Sequence, residues 1–267
     1  MPTQLGRPLI TGKRVLVTAA SRGLGFGAAE TFLEAGARVV INSSNPERLA
    51  EAGKQLSKKG EVHPVAADLT REKDLDRLVA ETTRILGGID SLVYVTGSPP
   101  AGTFLQKGYS EWREAAELMT VSPAYIARLV ALDMIEGKVK GNMVFLGSIT
   151  MREPVLNLAT SGVCRIAVSG LVRTLARELG PRGIRVNGIL PGYIDTDRTK
   201  GIVKERASKE SITLEKALAD LEGQIPIGRL GTAREVAQVA LFLASDLASY
   251  VSGALVPVDG AYLRSTG

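Results

Sequence analysis

Short apolar runs alternate with amphipathic stretches along the chain. R-V-L-V-T (14 to 18), A-R-V-V-I-N (37 to 42), E-V-H-P-V-A-A-D (61 to 68), S-L-V-Y-V-T (91 to 96), G-N-M-V-F-L-G (141 to 147), I-R-V-N-G-I (184 to 189) and A-L-V-P-V-D (254 to 259) read as seven buried strands. Between them lie patterns of helical period, such as A-A-E-T-F-L-E-A-G and L-V-R-T-L-A-R-E-L-G, each closed by a glycine just past its last apolar residue. Strict alternation of strand and helix predicts a seven-stranded parallel sheet with helices on both faces, because each crossover must pack back over the sheet. Such a doubly wound α/β arrangement holds its ligand crevice beyond the carboxyl ends of the strands. No linker rich in Pro, Gly or Ser divides the chain, and one domain over 1–267 is expected. Only 195–224 stands outside the alternation; it is helical in composition, too long for an ordinary connection, and reads as a flap over the crevice.

Composition narrows the class. A hydrophobic content of 45 % with 23 % charge in 267 residues suits a globular protein with a sizeable core. No apolar run approaches the roughly 18 residues that span a bilayer, and the N-terminus lacks an apolar leader, so a cytoplasmic protein without a membrane partner is expected. The single Cys164 excludes an internal disulfide framework, and the single His63 argues against metal clusters of the His or Cys type. Both read as packing residues, His63 within a buried strand. The net charge of +5 would suit nucleic acid, an acidic carrier protein or a phosphorylated cofactor. The basic cluster Arg198, Lys200, Lys204, Arg206 and Lys209 is interrupted by Glu205 and carries no interleaved aromatic residue. It reads as a solvated helix face, and no nucleic-acid partner is expected.

The first strand runs into T-A-A-S-R-G-L-G-F-G, Thr18 to Gly27, and then into a helix. Gly23 and Gly25 let the backbone approach a pyrophosphate, whose charge the helix N-terminus stabilises. At the end of strand two, where an acid would hold the ribose 2′-OH of NAD, the sequence is I-N-S-S-N-P, with Ser43 and Ser44 and no carboxylate. Arg22 is placed to meet a 2′-phosphate, which favours NADP over NAD; the alternative is that it pairs with a surface carboxylate.

Together these segments resemble the short-chain dehydrogenase/reductase family, near its 3-oxoacyl-carrier-protein reductase type, and the resemblance implies a Rossmann-type fold. The family pattern T-G-x-x-x-G-x-G falls on Thr18, Ala19, Gly23 and Gly25, with Ala in place of the first glycine. The resemblance further implies cofactor contacts from Ser21, Leu24, Gly97, Asp68 and Leu69, the acid lying against the adenine. It also implies that P-G-Y-I-D-T, with Pro191, Gly192, Ile194 and Thr196, holds the nicotinamide carboxamide. R-V-N-G-I-L-P-G, I-P-I-G-R-L-G-T-A-R-E-V-A and F-L-A-S-D-L-A-S-Y-V-S-G carry the likeness to the C-terminus. A homotetramer, with helix 160–179 at an interface, is implied as well.

Family members reduce a carbonyl with an Asn, a Ser, a Tyr and a Lys. Here Ser148 matches the serine that binds the reacting oxygen. Thirteen residues on, the Tyr position holds Ser161, and the Lys position holds Arg165, fixed by Gly170 in S-G-L-V-R-T-L-A. Met119 or Thr120 occupies the Asn position. A serine hydroxyl lies far above the pKa range of a tunable phenol. Arg165 is a permanent cation that suits a ribose hydroxyl or a substrate carboxylate. Tyr193 and Tyr94 are both expected at carboxyl ends of strands, facing the crevice; Tyr193, then Tyr94, are candidate substitute acids, the alternative being a wall of the pocket. The chain therefore reads as an NAD(P)-dependent oxidoreductase of a carbonyl or hydroxyl substrate, a small molecule or an acyl thioester such as a 3-oxoacyl thioester. The alternative is a catalytically weak or inactive dinucleotide-binding protein, either a redox sensor or a structural subunit.

Overall fold

The computed structural model describes residues 9–265; the stretch 1–8, part of the N-terminus read as lacking an apolar leader, and 266–267 lie outside the described residues. The strands are β1 (Arg14–Val17), β2 (Arg38–Ser43), β3 (Val62–Ala66), β4 (Ser91–Tyr94), β5 (Asn142–Leu146), β6 (Arg185–Pro191) and β7 (Leu255–Val258). All pair in parallel in the order β3-β2-β1-β4-β5-β6-β7. From β1 the chain moves outward to β2 and β3, then returns to set β4 on the other side of β1. Connections leaving β1 and β4 therefore diverge, and a crevice opens at their carboxyl ends.

The helices are α1 (Gly23–Glu34), α2 (Pro46–Leu56), α3 (Glu72–Leu86), α4 (Tyr109–Ala116), α5 (Ser122–Glu136), α6 (Ala159–Leu179), α7 (Asp197–Glu210), α8 (Leu214–Glu222) and α9 (Ala233–Ala244). Strand side chains alternate between two cores, as the two-residue strand period requires. Val15, Val17, Val39, Ile41, Val93 and Val144 pack under α1, α2 and α9, against Phe32, Leu49 and Leu243. Leu16, Val40, Leu92, Met143 and Phe145 pack under α3, α5 and α6, against Leu78, Ile126, Val130 and Val172.

Three expectations need correction. The outer strands are not buried: β3 buries only Val65 because it pairs on one side alone, and the His63 side chain is 39 % exposed, its Nε2 3.0 Å from Glu61. β7, at the opposite edge, buries no residue completely. The third concerns hydropathy. Tyr109–Glu136 is long and apolar enough to cross a membrane by length and composition, because its early charges, Glu111, Arg113, Glu114 and Glu117, are followed by an 18-residue window of mean hydropathy 1.4 that carries only Arg128 and Asp133. Ile126, Ala127, Val130, Ala131 and Met134 turn the apolar face of α5 into the second core.

The segment expected to form a flap, 195–224, folds mainly as helices α7 and α8. They stack through Val203, Ala207, Ala217 and Leu221, and Tyr193 packs beneath them. At their base, Asp195 N–H donates to Gly231 O (2.8 Å) and Gly231 N–H to Tyr193 O (3.0 Å), tying the segment to the sheet end.

Candidate functional site

A crevice of about 770 Å³ crosses the carboxyl ends of β1, β2, β4, β5 and β6. Its lining brings together Ser21, Arg22, Gly23, Leu24, Gly25, Ser43, Ser44, Asp68, Leu69 and Gly97 with Ser148, Ser161, Arg165, Pro191, Gly192, Tyr193, Ile194 and Thr196. Thr18, expected there, does not join them. It is fully buried, and its Oγ1 donates to Val95 O (2.6 Å) while accepting from Val95 N–H (2.8 Å). It pins β1 to β4 below the crevice.

At one end the turn between β1 and α1 is shaped for an anion. Ala19 takes φ +46°, a left-handed conformation that ordinarily calls for glycine, and Gly23 takes +57°. A Cβ on Gly25 would collide with the Ala19 carbonyl. Helix α1 has no side-chain cap and no acidic residue in its first turn, so its leading N–H groups and dipole favour negative charge there. The Asn42 amide, fully buried, donates to Val65 O (3.3 Å) and Ala67 O (2.9 Å), joining the ends of β2 and β3. Ser21 Oγ lies 3.0 Å from Ser43 Oγ, and Arg48 enters the lining beside them. Arg22 Nη1 lies 3.3 Å from Asp197 Oδ2 at the start of α7, with the two side chains 63 % and 72 % exposed. The carboxylate partner weighed from the sequence thus exists, but an ion pair so exposed contributes little. Asp68 accepts from Thr70 N–H (2.9 Å) and Thr70 Oγ1 (2.8 Å).

Chemistry-bearing residues meet at the other end. Ser148 caps a single 3₁₀ turn, Ile149–Met151, and its Oγ accepts from Thr150 N–H (3.2 Å). Among the described residues its own proton meets no acceptor. Ser161 and Arg165 sit one turn apart on α6, each only 6 % exposed. Arg165 Nε donates to Ser161 Oγ (3.2 Å), and Nη2 donates to Gly97 O (2.9 Å) and Ser98 Oγ (3.2 Å). Burial pushes the Arg165 guanidinium down to about 10; the charge of Arg198 acts in the same direction, and Tyr94 opposes it.

The remaining candidates divide. Between α4 and α5 the helix widens into a π turn, Glu117–Val121. There Met119 packs on Ala115 and Cys164, Thr120 Oγ1 donates to Cys164 O (2.9 Å), and Leu118 reaches the crevice. Cys164 is a packing residue, its thiol pushed up by burial. Tyr94 does not face the crevice: it lies on the opposite side of β4 from Val93, its ring 5.7 Å from Phe145. Burial raises its pKa against the opposing effects of the Thr96 hydroxyl and Arg165. Tyr193 does line the crevice, edge-on to Tyr262 at 5.2 Å, and burial together with Tyr262 raises its pKa, making it a weaker acid than a free phenol. Ser98, Leu118, Val155, Leu158, Arg198 and Ile202 also line this end and were not assigned to it from the sequence. Arg198 had a visible signal, the basic run, which its surroundings made look like a solvated face.

Residues 18–262 match the family model described as enoyl-(acyl carrier protein) reductase. The chain is 30 % identical over 253 residues to the 3-oxoacyl-[acyl-carrier-protein] reductase FabG of Aquifex aeolicus (strain VF5), a match covering 94 % of this chain and 97 % of that protein. The fold superposes on L-sorbose reductase from Gluconobacter frateurii, complexed with NADPH and L-sorbose, with a TM-score of 0.91 at 29 % identity over 96 % of this chain and 98 % of the other. A 7α-hydroxysteroid dehydrogenase complexed with NADH and 7-oxo glycochenodeoxycholic acid gives 0.87 at 31 % identity over 98 % of each chain.

Proposed function

The chain belongs to the short-chain dehydrogenase/reductase family, and we propose that it transfers hydride between NADP(H) and a carbonyl or hydroxyl substrate. One observation carries the reading: Ser148, its hydroxyl proton engaged by none of the described residues, lies in the same crevice as the glycine turn and Arg165. The crevice suits a dinucleotide, because the Gly25 cradle leaves no room for a side chain and α1 presents uncapped N–H groups. Arg22 and Arg48, with no carboxylate at the end of β2, support NADP(H) over NAD(H). Arg165 holds the nicotinamide ribose or an acidic substrate group.

When bound, the nicotinamide supplies the hydride. Ser148 donates a hydrogen bond to the substrate oxygen as negative charge develops on it. Arg165, cationic throughout, adds to that stabilisation and gives up no proton. Ser161 accepts from Arg165 Nε and is not an acid. Tyr193, its acidity weakened, forms a wall, and the proton that completes the alcohol comes from solvent water. Without a positioned general acid the rate falls by about 10²- to 10⁴-fold relative to a site that has one. The FabG relative makes 3-oxoacyl thioesters one candidate substrate class. A homotetramer is part of the reading, supported by the apolar residues that α6 leaves open, Val163 at 61 % and Ile166 at 55 % exposure.

The replaced Tyr and Lys favour a second reading, a dinucleotide-binding protein without turnover that serves as a redox sensor or structural subunit. Incubating the purified protein with NADPH or NADH and a panel of 3-oxoacyl thioesters, ketones and quinones separates the two. Turnover is expected, with Ser148→Ala lowering kcat/KM by about 10²-fold and Tyr193→Phe staying within about threefold. Nucleotide binding without turnover on any substrate selects the second reading. Equal affinity for the two nucleotides removes the NADP(H) preference.

A further inference from the structure

The chemical end of the crevice holds two guanidinium groups and no carboxylate. Among the described residues neither Arg165 nor Arg198 forms an ion pair. Arg165 is held by neutral acceptors alone, the Gly97 carbonyl and the hydroxyls of Ser98 and Ser161. Arg198, on the first turn of α7, is exposed but lines the crevice, and the partial desolvation there holds its guanidinium below the ordinary value. Glu205 acts on it only from a distance and is itself paired with Lys209 at 2.6 Å. The acids that do line the crevice have partners other than these two arginines: Asp197 lies 3.3 Å from Arg22, and Asp68 accepts from Thr70.

A buried cation without a counter-ion is costly, and a second cation beside it adds repulsion; a ligand anion removes both penalties. The position excludes the cofactor phosphates as that anion, since Arg22, Arg48 and the start of α1 serve the opposite end. A guanidinium takes a carboxylate through two parallel hydrogen bonds, which Arg198 can offer, while Arg165, with Nε and Nη2 already given to Ser161, Gly97 and Ser98, offers Nη1. The other neighbours at this end, Leu118, Val155, Leu158 and Ile202, suit a short apolar chain.

We propose that Arg165 and Arg198 form an anion subsite that takes a carboxylate of the substrate, so that the site selects oxo or hydroxy acids over neutral carbonyls and thioesters. The inference rests on the oxidoreductase reading above and names its substrate class. Where the family carries a proton donor and its lysine, this chain carries a charge clamp.

Calorimetric titration of the NADPH-loaded protein with malonate and with its neutral counterpart malonamide tests the subsite without turnover. Malonate is expected to bind at least about tenfold tighter, and Arg198→Gln, a substitution at a solvent-touching position, is expected to abolish that margin while leaving NADPH affinity unchanged. Arg165→Lys retains part of the margin and Arg165→Gln none. Equal binding of malonate and malonamide, indifference to Arg198→Gln, or tighter binding of inorganic phosphate than of malonate each overturns the proposal. Should NADPH fail to bind, the cofactor reading falls, while malonate titrated into the nucleotide-free protein still reports on the two arginines.

Discussion

Ala19 shows how a single side chain can sit against its backbone. A residue with a Cβ in the left-handed region is strained by about 1–2 kcal/mol, and glycine relieves that strain at some cost in unfolded-chain entropy. With φ +46° at this position, Ala19→Gly is expected to raise stability by roughly 0.5–1 kcal/mol, read as a higher urea midpoint at unchanged m-value. A lower midpoint would mean that the methyl group packs to better effect than the strain costs. The positions of Ser148, Ser161 and Arg165 are legible in the sequence because spacing along α6 and from the preceding strand fixes them without side-chain detail. Thr18 and Tyr94 are not. A motif states which residues recur and not which way they point, so Thr18 proves to be an inter-strand pin. Strand parity puts Tyr94 on the α6 side of the sheet, which is also the Arg165 side of the crevice, so what removes it from the lining is the packing of its ring on Phe145, a tertiary fact. Arg198 escapes because charge patterning describes a helix face and not what a neighbouring segment places opposite it.

Among the elements, the strands are legible nearly to their ends because a parallel sheet leaves their apolar runs little freedom, whereas the helical patterns quoted mark only the later turns of α1 and α6. Edge burial is not legible, since an apolar run looks the same whether one neighbour pairs with it or two; β3 and β7 show the difference. The close approach of α1 to α9 is likewise invisible in either segment alone. A Cβ on Gly27 would stand 2.8 Å from the Ala233 Cβ. Gly27→Leu must push the helices apart and is expected to cost about 1–3 kcal/mol, with a lowered melting temperature. An unchanged melting temperature would show that α9 can slide without loss. The segment 195–224 is legible as an insertion by its length, yet the helix pair within it depends on Val203, Ala207, Ala217 and Leu221 meeting, a tertiary fact.

For the molecule as a whole, acid sensitivity has an identifiable origin opposite the crevice. Asp90 accepts from Arg14 Nη2 (2.8 Å), Nε (2.9 Å) and the Arg14 backbone N–H (2.8 Å), clamping the amino end of β1 to the turn before β4. Burial pushes the Asp90 carboxyl up, but the side-chain hydrogen bond, backbone N–H and charge of Arg14 outweigh it and hold the carboxyl below its ordinary value. The stabilisation is therefore fully present above the unfolded-state value of 3.8 and is lost as pH falls through the lower folded-state value. Denaturant midpoints measured between about pH 6 and pH 3 should fall less steeply in Asp90→Asn than in the parent. Parallel curves would assign the acid limb to other carboxylates. The crevice itself straddles the two cores: the Arg22 and Arg48 side belongs to the layer of α1 and α2, the Arg165 side to the layer of α6. A ligand lying along it is thus a fastener between layers that otherwise communicate through the sheet. By mass action, nucleotide at a hundred times its Kd adds about 2.7 kcal/mol to the unfolding free energy, so cofactor supply becomes a determinant of how long each copy of the protein survives.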